Sequence, residues 1–139
     1  MQNTANPDSF LSVKGFYAGK VVLLSGVTGF VGKVLLEKLM RSCPDIKKFY
    51  IMVRPKRNKR PMDRIKNEIL SSPMFRLCKK ANPDFISWAE QRIVPIQGDL
   101  VIEGLGMSAE DRRMIIEDCN VIMNSAASVN FDDPLQEAL

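Results

Sequence analysis

The chain of 139 residues is 45% hydrophobic and 26% charged, which is ordinary for one soluble globular domain and argues against a disordered, collagen-like or disulfide-rich chain. It contains no histidine, which excludes a Ser-His-Asp or Cys-His catalytic set within these residues. The net charge of +4 is segregated, since residues 1–100 carry 18 basic and 8 acidic groups while residues 101–139 carry 2 and 8.

The three cysteines, Cys43, Cys78 and Cys119, are odd in number and form no CxxC pair, so they predict neither a disulfide framework nor a metal cluster. A reducing compartment is the better expectation. The first ten residues lack the basic start and apolar stretch of a signal peptide, and no run approaches the roughly 18 apolar residues of a membrane helix. We therefore expect no membrane segment in this chain.

The chain is expected to start with a flexible arm over residues 1–15, which is polar and contains an Asn-Pro pair. Residues 16–20 look like a turn. The run 21–25 is apolar without polar alternation, which is typical of a strand buried on both faces of a parallel sheet. Apolar residues then recur at helical spacing over 31–41, until Pro44 stops the pattern.

Further strands and helices alternate along the rest of the chain. Apolar runs predict strands over residues 49–53, 92–96 and 121–123. Helices are predicted near residues 62–70, 74–80 and 84–90, separated by Ser-Pro and Asn-Pro breaks. A capping-box pattern, with Asp111 in place of the usual Glu, starts another helix at Ser108. The sequence therefore predicts an α/β fold, a Rossmann-type doubly wound parallel sheet over residues 16–139.

A glycine motif joins the first predicted strand to the first predicted helix, with Gly26, Gly29 and Gly32 at a spacing of three. A dinucleotide pyrophosphate needs N–H groups at a helix N-terminus where a Cβ would block the approach, and a small residue where helix meets strand. The candidate cofactor-binding residues here are Gly26, Thr28, Gly29, Phe30, Val31 and Gly32. The alternatives are a glycine-rich connection without a ligand and, for Thr28, a plain turn role.

The second predicted strand ends in Arg54, where a site that prefers NAD has an acidic residue for the ribose 2′-OH. Five of the seven residues 54–60 are Lys or Arg, and the arginine fork suits a 2′-phosphate. We therefore predict NADP(H), with Arg54 and Lys56 as candidate contacts. The competing explanation for Lys56 to Arg60 is a solvated basic loop. A nucleic-acid partner is not expected, because residues 54–74 contain no aromatic side chain.

Two other segments follow predicted strands, Gly98-Asp99-Leu100 and Asn124-Ser125-Ala126-Ala127. Open α/β sheets bind ligands at the carboxyl ends of their strands. A carboxylate there can accept a hydrogen bond from the adenine amino group, and small residues let a nucleotide pass over the backbone. The candidates are Asp99, Leu100, Asn124, Ala126 and Ala127. The alternatives are a turn-forming Asp and a tight packing site.

Together these segments resemble the fatty acyl-CoA reductases of the male-sterility type, within the extended short-chain dehydrogenase/reductase family. The resemblance covers about residues 13–139 and is carried by FYAGK, SGVTGFVGKVLLEKLMRSCPDIKKFYIMVRPK, PIQGDL and NSAASVNFDDPLQEAL. It implies NADPH-dependent reduction of long-chain fatty acyl-CoA to fatty alcohol, through an aldehyde that is not released. It also implies association with peroxisomal or endoplasmic reticulum membranes, on the cytosolic side, through later segments. Asn124 departs from the pattern, because many relatives carry histidine there.

That family also uses a Ser together with a Tyr and a Lys in a YxxxK arrangement, in which the Lys lowers the pKa of the proton-donating Tyr. Here Tyr17 and Tyr50 are followed four residues later by Val21 and Arg54, so no catalytic residue is assigned. We therefore expect an N-terminal fragment, inactive alone, that supplies the cofactor-binding half and leaves its fourth strand as an exposed edge. The acyl-CoA would be held by the missing part.

Other functions stay open. One is a stand-alone NADP(H)-binding regulatory module, which the missing catalytic pair favours. The other is a thioester reductase or a further extended short-chain dehydrogenase. Arg54 disfavours the epimerases that use NAD.

Overall fold

Four parallel strands form the sheet of the computed structural model, which describes residues 12–128 and 130–138. They are β1 (Val21–Ser25), β2 (Lys48–Val53), β3 (Ile93–Gln97) and β4 (Val121–Asn124). Their order is β3-β2-β1-β4, so the chain builds outward from β1 to β3 and then crosses back to pair β4 with the other side of β1. The strand order therefore reverses between β1 and β4, as in a doubly wound sheet. The predicted fold class is confirmed.

Helices connect these strands. They are α1 (Val13–Tyr17), α2 (Phe30–Ser42), α3 (Pro61–Arg64), α4 (Arg76–Ala81), α5 (Phe85–Arg92), α6 (Ala109–Asp118) and α7 (Leu135–Ala138). A π-helical segment, Ile65–Leu70, continues α3 without a break, and short 3₁₀ turns occupy Pro73–Phe75 and Glu103–Gly106. The predicted cap of α6 forms, since the Ser108 hydroxyl accepts a hydrogen bond from the Asp111 N–H at 3.0 Å.

Each face of the sheet has its own apolar core. On one face Val22 and Leu24 pack with residues of α2, the π-helical segment, α4 and α5. On the other face Leu23 packs in a smaller cluster with Tyr50 and with Ile115 of α6. Because both faces are covered at β1, all five of its residues are buried, as the unbroken apolar run predicts.

The start of the chain differs from the prediction. Of the predicted arm over residues 1–15, residues 1–11 lie outside the described residues, and the helix α1 already begins at Val13. The predicted turn over residues 16–20 is therefore wrong for its first two residues. The physical reason is a local cap, since the Ser12 hydroxyl accepts a hydrogen bond from the Gly15 N–H at 2.9 Å and starts a helical turn.

The outer side of β4 is open. Among the described residues β4 pairs with β1 alone, and its burial alternates between half-buried and exposed positions. Ile122 is 70% exposed. This agrees with the exposed apolar edge that the sequence predicts.

Candidate functional site

The glycine motif forms the turn between β1 and α2. Gly26 has φ +74°, in the left-handed region that disfavours side chains, and its carbonyl accepts a hydrogen bond from the Gly29 N–H at 3.1 Å. Gly29 is the N-cap of α2 and has an extended backbone with no side-chain cap. The first N–H groups of a helix have no partner within the helix. The turn therefore presents open backbone donors at the positive end of a 13-residue helix.

Two of the glycines are required by packing. A Cβ on Gly26 would lie 2.4 Å from the backbone nitrogen of Ala126, and a Cβ on Gly32 would lie 2.2 Å from the Gly26 carbonyl oxygen. Such separations are far inside van der Waals contact. Gly26 thus lets the strand end pass close to the segment after β4, and Gly32 lets α2 lie directly on the turn.

Gly29 has different surroundings. A Cβ there would meet only the Gly26 carbonyl oxygen, at 3.3 Å, so the protein itself leaves almost enough room for a side chain. Its neighbours Thr28, Phe30 and Val31 are exposed, the last two by 73% and 64%. The surface above Gly29 is therefore open to a ligand. Phe30 and Val31 would contact that ligand through their backbone N–H groups, because their side chains do not form a buried pocket.

Arg54 follows β2 at the same edge of the sheet. Its side chain is 73% exposed, and its Nε lies 3.9 Å from Oδ1 of Asp99, which follows β3. At this distance and exposure the ion pair contributes little to stability. The guanidinium thus lies near the site, and most of the side chain stays exposed to an anion.

The basic loop 54–60 is exposed along its whole length, and two of its lysines pair with one carboxylate. Lys56 and Lys59 place their Nζ atoms 3.5 and 4.0 Å from Oε1 of Glu68, and they form an isolated antiparallel bridge with each other. Hydrogen bonds from Arg64 lower the pKa of Glu68 to about 2. Sequence reasoning missed Arg64 and Glu68, although their spacing of four residues in a helical pattern was a usable signal.

Asp99 and Leu100 lie in the turn after β3. Oδ1 of Asp99 accepts a hydrogen bond from the Val101 N–H at 3.1 Å, and its backbone N–H donates to the Leu105 carbonyl at 2.8 Å. The carboxylate therefore has a structural role in this turn, with 21% of the side chain still exposed. Leu100 is 39% exposed beside it.

Asn124 ties the ends of β1 and β4 together. Its Oδ1 accepts hydrogen bonds from the Ser25 hydroxyl at 2.5 Å and from the Ala126 N–H at 3.0 Å. The Ser125 hydroxyl donates in turn to the Ser25 carbonyl at 2.8 Å. Asn124 thus fixes the segment against which Gly26 packs, and Ala127 follows this segment as an exposed residue.

The predicted candidates share one edge of the sheet. The strand register pairs Ser25 with Asn124 and Val53 with Gln97, so the glycine turn, Arg54, Asp99 and Ala126 all follow neighbouring strand ends. This edge contains the point where the strand order reverses, which is where open α/β sheets bind ligands. The arrangement offers backbone donors, a cation and small residues, and these suit a phosphate-bearing nucleotide.

A cavity of about 300 Å³ adjoins this edge on the α6 side of the sheet. It is lined by Leu23, Ser25, Met52, Leu100, Leu105, Met107, Arg112, Ile115, Ile116, Ile122 and Asn124. Most of this lining is apolar, and Ile122 and Asn124 of β4 form part of it. It was not foreseen from the sequence, because its walls come from five separate segments.

A Tyr–Lys pair does exist in the chain, but it lies at the other end of the strands. The Tyr50 hydroxyl donates to Oδ1 of Asp118 at 2.7 Å, and Lys48 Nζ lies 2.7 Å from Oδ2 of the same carboxylate. Burial raises the pKa of Tyr50, and the bond to Asp118 adds to this. A proton donor needs the opposite shift. This cluster therefore locks β2 to the end of α6.

Comparisons with known proteins agree with this geometry. Residues 24–139 match the family model described as the male sterility protein. The chain is 43% identical over 129 residues to fatty acyl-CoA reductase 1 of Rattus norvegicus, covering 93% of this chain and 24% of that protein. It is 32% identical to the chloroplastic fatty acyl-CoA reductase 2 of Arabidopsis thaliana, covering 93% and 21%. The chain thus spans about a quarter of the length of these relatives.

Solved structures show the same fold. The terminal R domain from the myxalamid PKS-NRPS biosynthetic pathway superposes with a TM-score of 0.66 and 30% identity, over 87% of this chain and 28% of that one. The reductase domain of a non-ribosomal peptide synthetase from Mycobacterium tuberculosis gives a TM-score of 0.61 and 25% identity, over 91% and 30%. With its family match extending from β1 to the last residue, the chain belongs to the male sterility protein family.

Proposed function

We propose that this chain binds NADPH and forms the cofactor-binding part of an enzyme that reduces long-chain fatty acyl-CoA to fatty alcohol. The observation that most supports NADPH as the cofactor is that an open glycine turn follows β1 and that Arg54 follows β2 at the same edge of the sheet. The names of the relatives, at 43% and 32% identity, support the substrate.

The residues of this chain would bind and orient the cofactor, whose reduced nicotinamide supplies the hydride. The N–H groups at the start of α2 would bind the pyrophosphate, and Gly29 leaves room for its approach. Arg54 offers a fork to a 2′-phosphate. The Asp99 turn and Leu100 would contact the adenine, and the small residues Ala126 and Ala127 would let the nucleotide cross the end of β4.

The proton donor for the carbonyl oxygen is not assigned to any residue of this chain. Tyr50 is buried at the amino-terminal side of the strands, away from the glycine turn. Tyr17 lies in α1, ahead of β1. We therefore propose that the chain contributes cofactor binding, and that substrate binding and protonation need the longer protein.

A second candidate, reduction of an acyl thioester on a carrier protein, is favoured by the likeness to the solved reductase domains. Both reactions begin with hydride addition to a thioester carbonyl, and the cofactor site would be the same. The higher identity to the fatty acyl-CoA reductases favours the coenzyme A thioester. A stand-alone regulatory module is the remaining alternative, and it would bind NADPH without turnover.

The cofactor proposal is tested by measuring Kd for NADPH and NADH with the purified chain. We expect a preference for NADPH that Arg54→Asp removes, because that variant replaces the cation by an anion. Gly29→Val is expected to abolish binding of both cofactors while the chain stays folded, because the Gly29 backbone is extended. Arg76→Asp makes the same charge change on an exposed residue of α4 and should leave the preference intact. Equal affinity of the wild-type chain for NADPH and NADH would contradict the proposal.

The substrate proposal needs the longer protein. Incubation with palmitoyl-CoA and NADPH is expected to yield the fatty alcohol with consumption of two NADPH for each thioester. Turnover of a carrier-protein thioester but not of the coenzyme A ester would favour the second candidate instead.

We also propose that the longer protein associates with peroxisomal or endoplasmic reticulum membranes on the cytosolic side. The family resemblance supports this location. Within residues 12–128 and 130–138, no helix has the length and apolar character needed to span a bilayer. Imaging of the tagged longer protein together with organelle markers tests the location, and a uniformly diffuse signal would contradict it.

A further inference from the structure

The basic loop 54–60 is organised around a single carboxylate. Glu68 Oε1 lies 3.5 Å from Lys56 Nζ and 4.0 Å from Lys59 Nζ, and Glu68 also pairs with Arg64, whose Nη2 lies 2.8 Å from Oε2. A second bond joins Arg64 Nε to Oε1 at 3.2 Å. One acidic side chain thus holds three cations that would otherwise repel one another.

Arg64 connects this carboxylate to the end of β2. Its Nη1 donates to the Arg54 carbonyl oxygen at 2.5 Å, while its other nitrogens bind Glu68. The Arg64 side chain is 11% exposed, whereas that of Arg54 is 73% exposed. Arg64 is therefore occupied by protein partners, whereas the Arg54 guanidinium is left exposed to a ligand.

The carboxylate belongs to a segment that is anchored in the core. Glu68 belongs to the π-helical segment, where its neighbours Ile65, Ile69 and Leu70 are fully buried. By contrast, every residue from Arg54 to Arg60 is exposed. The buried segment can therefore restrain an exposed loop that has no apolar anchor of its own.

We propose that Glu68 is a positioning residue for cofactor selectivity: through Arg64, Lys56 and Lys59 it holds the loop 54–60 in the conformation in which Arg54 meets a 2′-phosphate. This inference rests on the proposed NADPH binding. A loop ordered before binding avoids the entropy cost of fixing long side chains when the ligand arrives.

The sign of the effect separates positioning from simple charge. Neutralising Glu68 makes the loop more positive, so a loop that acts only through net charge would bind NADPH more tightly. A loop that acts through its conformation would bind NADPH less tightly, because Arg64 and both lysines lose their common partner. The two mechanisms therefore predict opposite changes for one substitution.

The test is the ratio of Kd for NADH to Kd for NADPH in Glu68→Gln, with 5′-AMP and 2′,5′-ADP as fragment probes. We expect the ratio to fall by roughly 3- to 10-fold, the effect of ordering about one long side chain. Arg64→Lys keeps the charge but loses the two-sided contact, and the same fall is expected. Glu90→Gln is the matched control. It makes the same change from carboxylate to amide and breaks a 2.6 Å ion pair to Lys66, which lies outside the loop 54–60, so the ratio should stay unchanged.

Hydrogen exchange of the ligand-free chain gives a second readout that does not depend on binding. Amides of residues 54–60 should exchange faster in Glu68→Gln than in the wild type, with β2 unchanged. A selectivity ratio that is unchanged or higher in Glu68→Gln and in Arg64→Lys overturns the positioning role alone. A wild-type chain that does not distinguish NADPH from NADH overturns the proposed cofactor, and the selectivity role with it.

Discussion

Replacing Gly26 by alanine should destabilise the fold more than replacing Gly19 by alanine, although the two glycines have nearly the same positive φ angle. Their φ angles are +74° and +73°. A side chain in this left-handed region costs about 1–2 kcal/mol at either position. The two positions differ sharply in what a new Cβ would meet, so comparing the two variants measures the cost of the close approach at Gly26.

At Gly19 a Cβ would have no atom within 4 Å, whereas at Gly26 it would lie 2.4 Å from the Ala126 nitrogen and 2.5 Å from the Ser125 carbonyl carbon. Both are backbone atoms, and hydrogen bonds to Ser25 and Asn124 hold them in place. Overpacking of this kind costs about 1–3 kcal/mol more. We therefore expect a loss of about 1–2 kcal/mol for Gly19→Ala and about 2–5 kcal/mol for Gly26→Ala.

Urea unfolding followed by the fluorescence of Trp88 measures both losses. Trp88 is the single tryptophan, and it stacks on Phe85 with ring centroids 5.9 Å apart, so its emission reports the core beneath α5. Equal midpoints with equal slopes for the two variants would refute the reasoning, because they would mean that the segment after β4 yields freely to a Cβ.

Three further outcomes are expected. The pKa of Glu68 is about 2, below the ordinary value of 4.5. The contribution of the Glu68 carboxylate to stability is therefore complete above pH 4.5 and is lost as the pH falls toward 2. Over that range the urea midpoint of the wild type should fall more than that of Glu68→Gln. Burial raises the pKa of Cys78 to about 11, so its thiol should not react with iodoacetamide at pH 8 in the folded chain. Peptide mapping should find label on the half-buried Cys119 in the folded chain and on Cys78 only in urea. Tyr50→Phe removes the 2.7 Å bond to Asp118 and should lower the free energy of unfolding by about 1–3 kcal/mol, with no change in the preference for NADPH over NADH.

The sequence by itself determined the four strands, the α-helices that connect them and their order, but not α1 or α7. Apolar runs without alternation marked the strands, helical spacing marked α2, and the Ser108 cap marked the start of α6. These signals are local, because the chemistry that defines them lies within a few residues. The glycine spacing and Arg54 also identified the edge of the sheet where a nucleotide would bind, because parallel strands place their carboxyl ends together.

Some element boundaries and helix types differ from those that the sequence predicts. The helix expected near residues 62–70 changes from α to π at Ile65, and three side chains of the π-helical segment are buried in the core. The third strand begins at Ile93 rather than Arg92. Arg92 instead ends α5 and lies over the Trp88 ring at 4.4 Å. Packing against other segments decides such boundaries, and a local pattern does not contain that information.

Only the tertiary structure decided how the site is supported. The Asn124 bond to Ser25 joins residues 99 positions apart, and the contact that forbids a Cβ on Gly26 comes from Ala126. Glu68 pairs with Arg64 of α3 and with two lysines of the loop 54–60, the farther of which precedes it by 12 residues. Composition and spacing can indicate which groups would contact a ligand. The groups that hold them in place can be identified only from the folded chain, because residues far apart in sequence come together there.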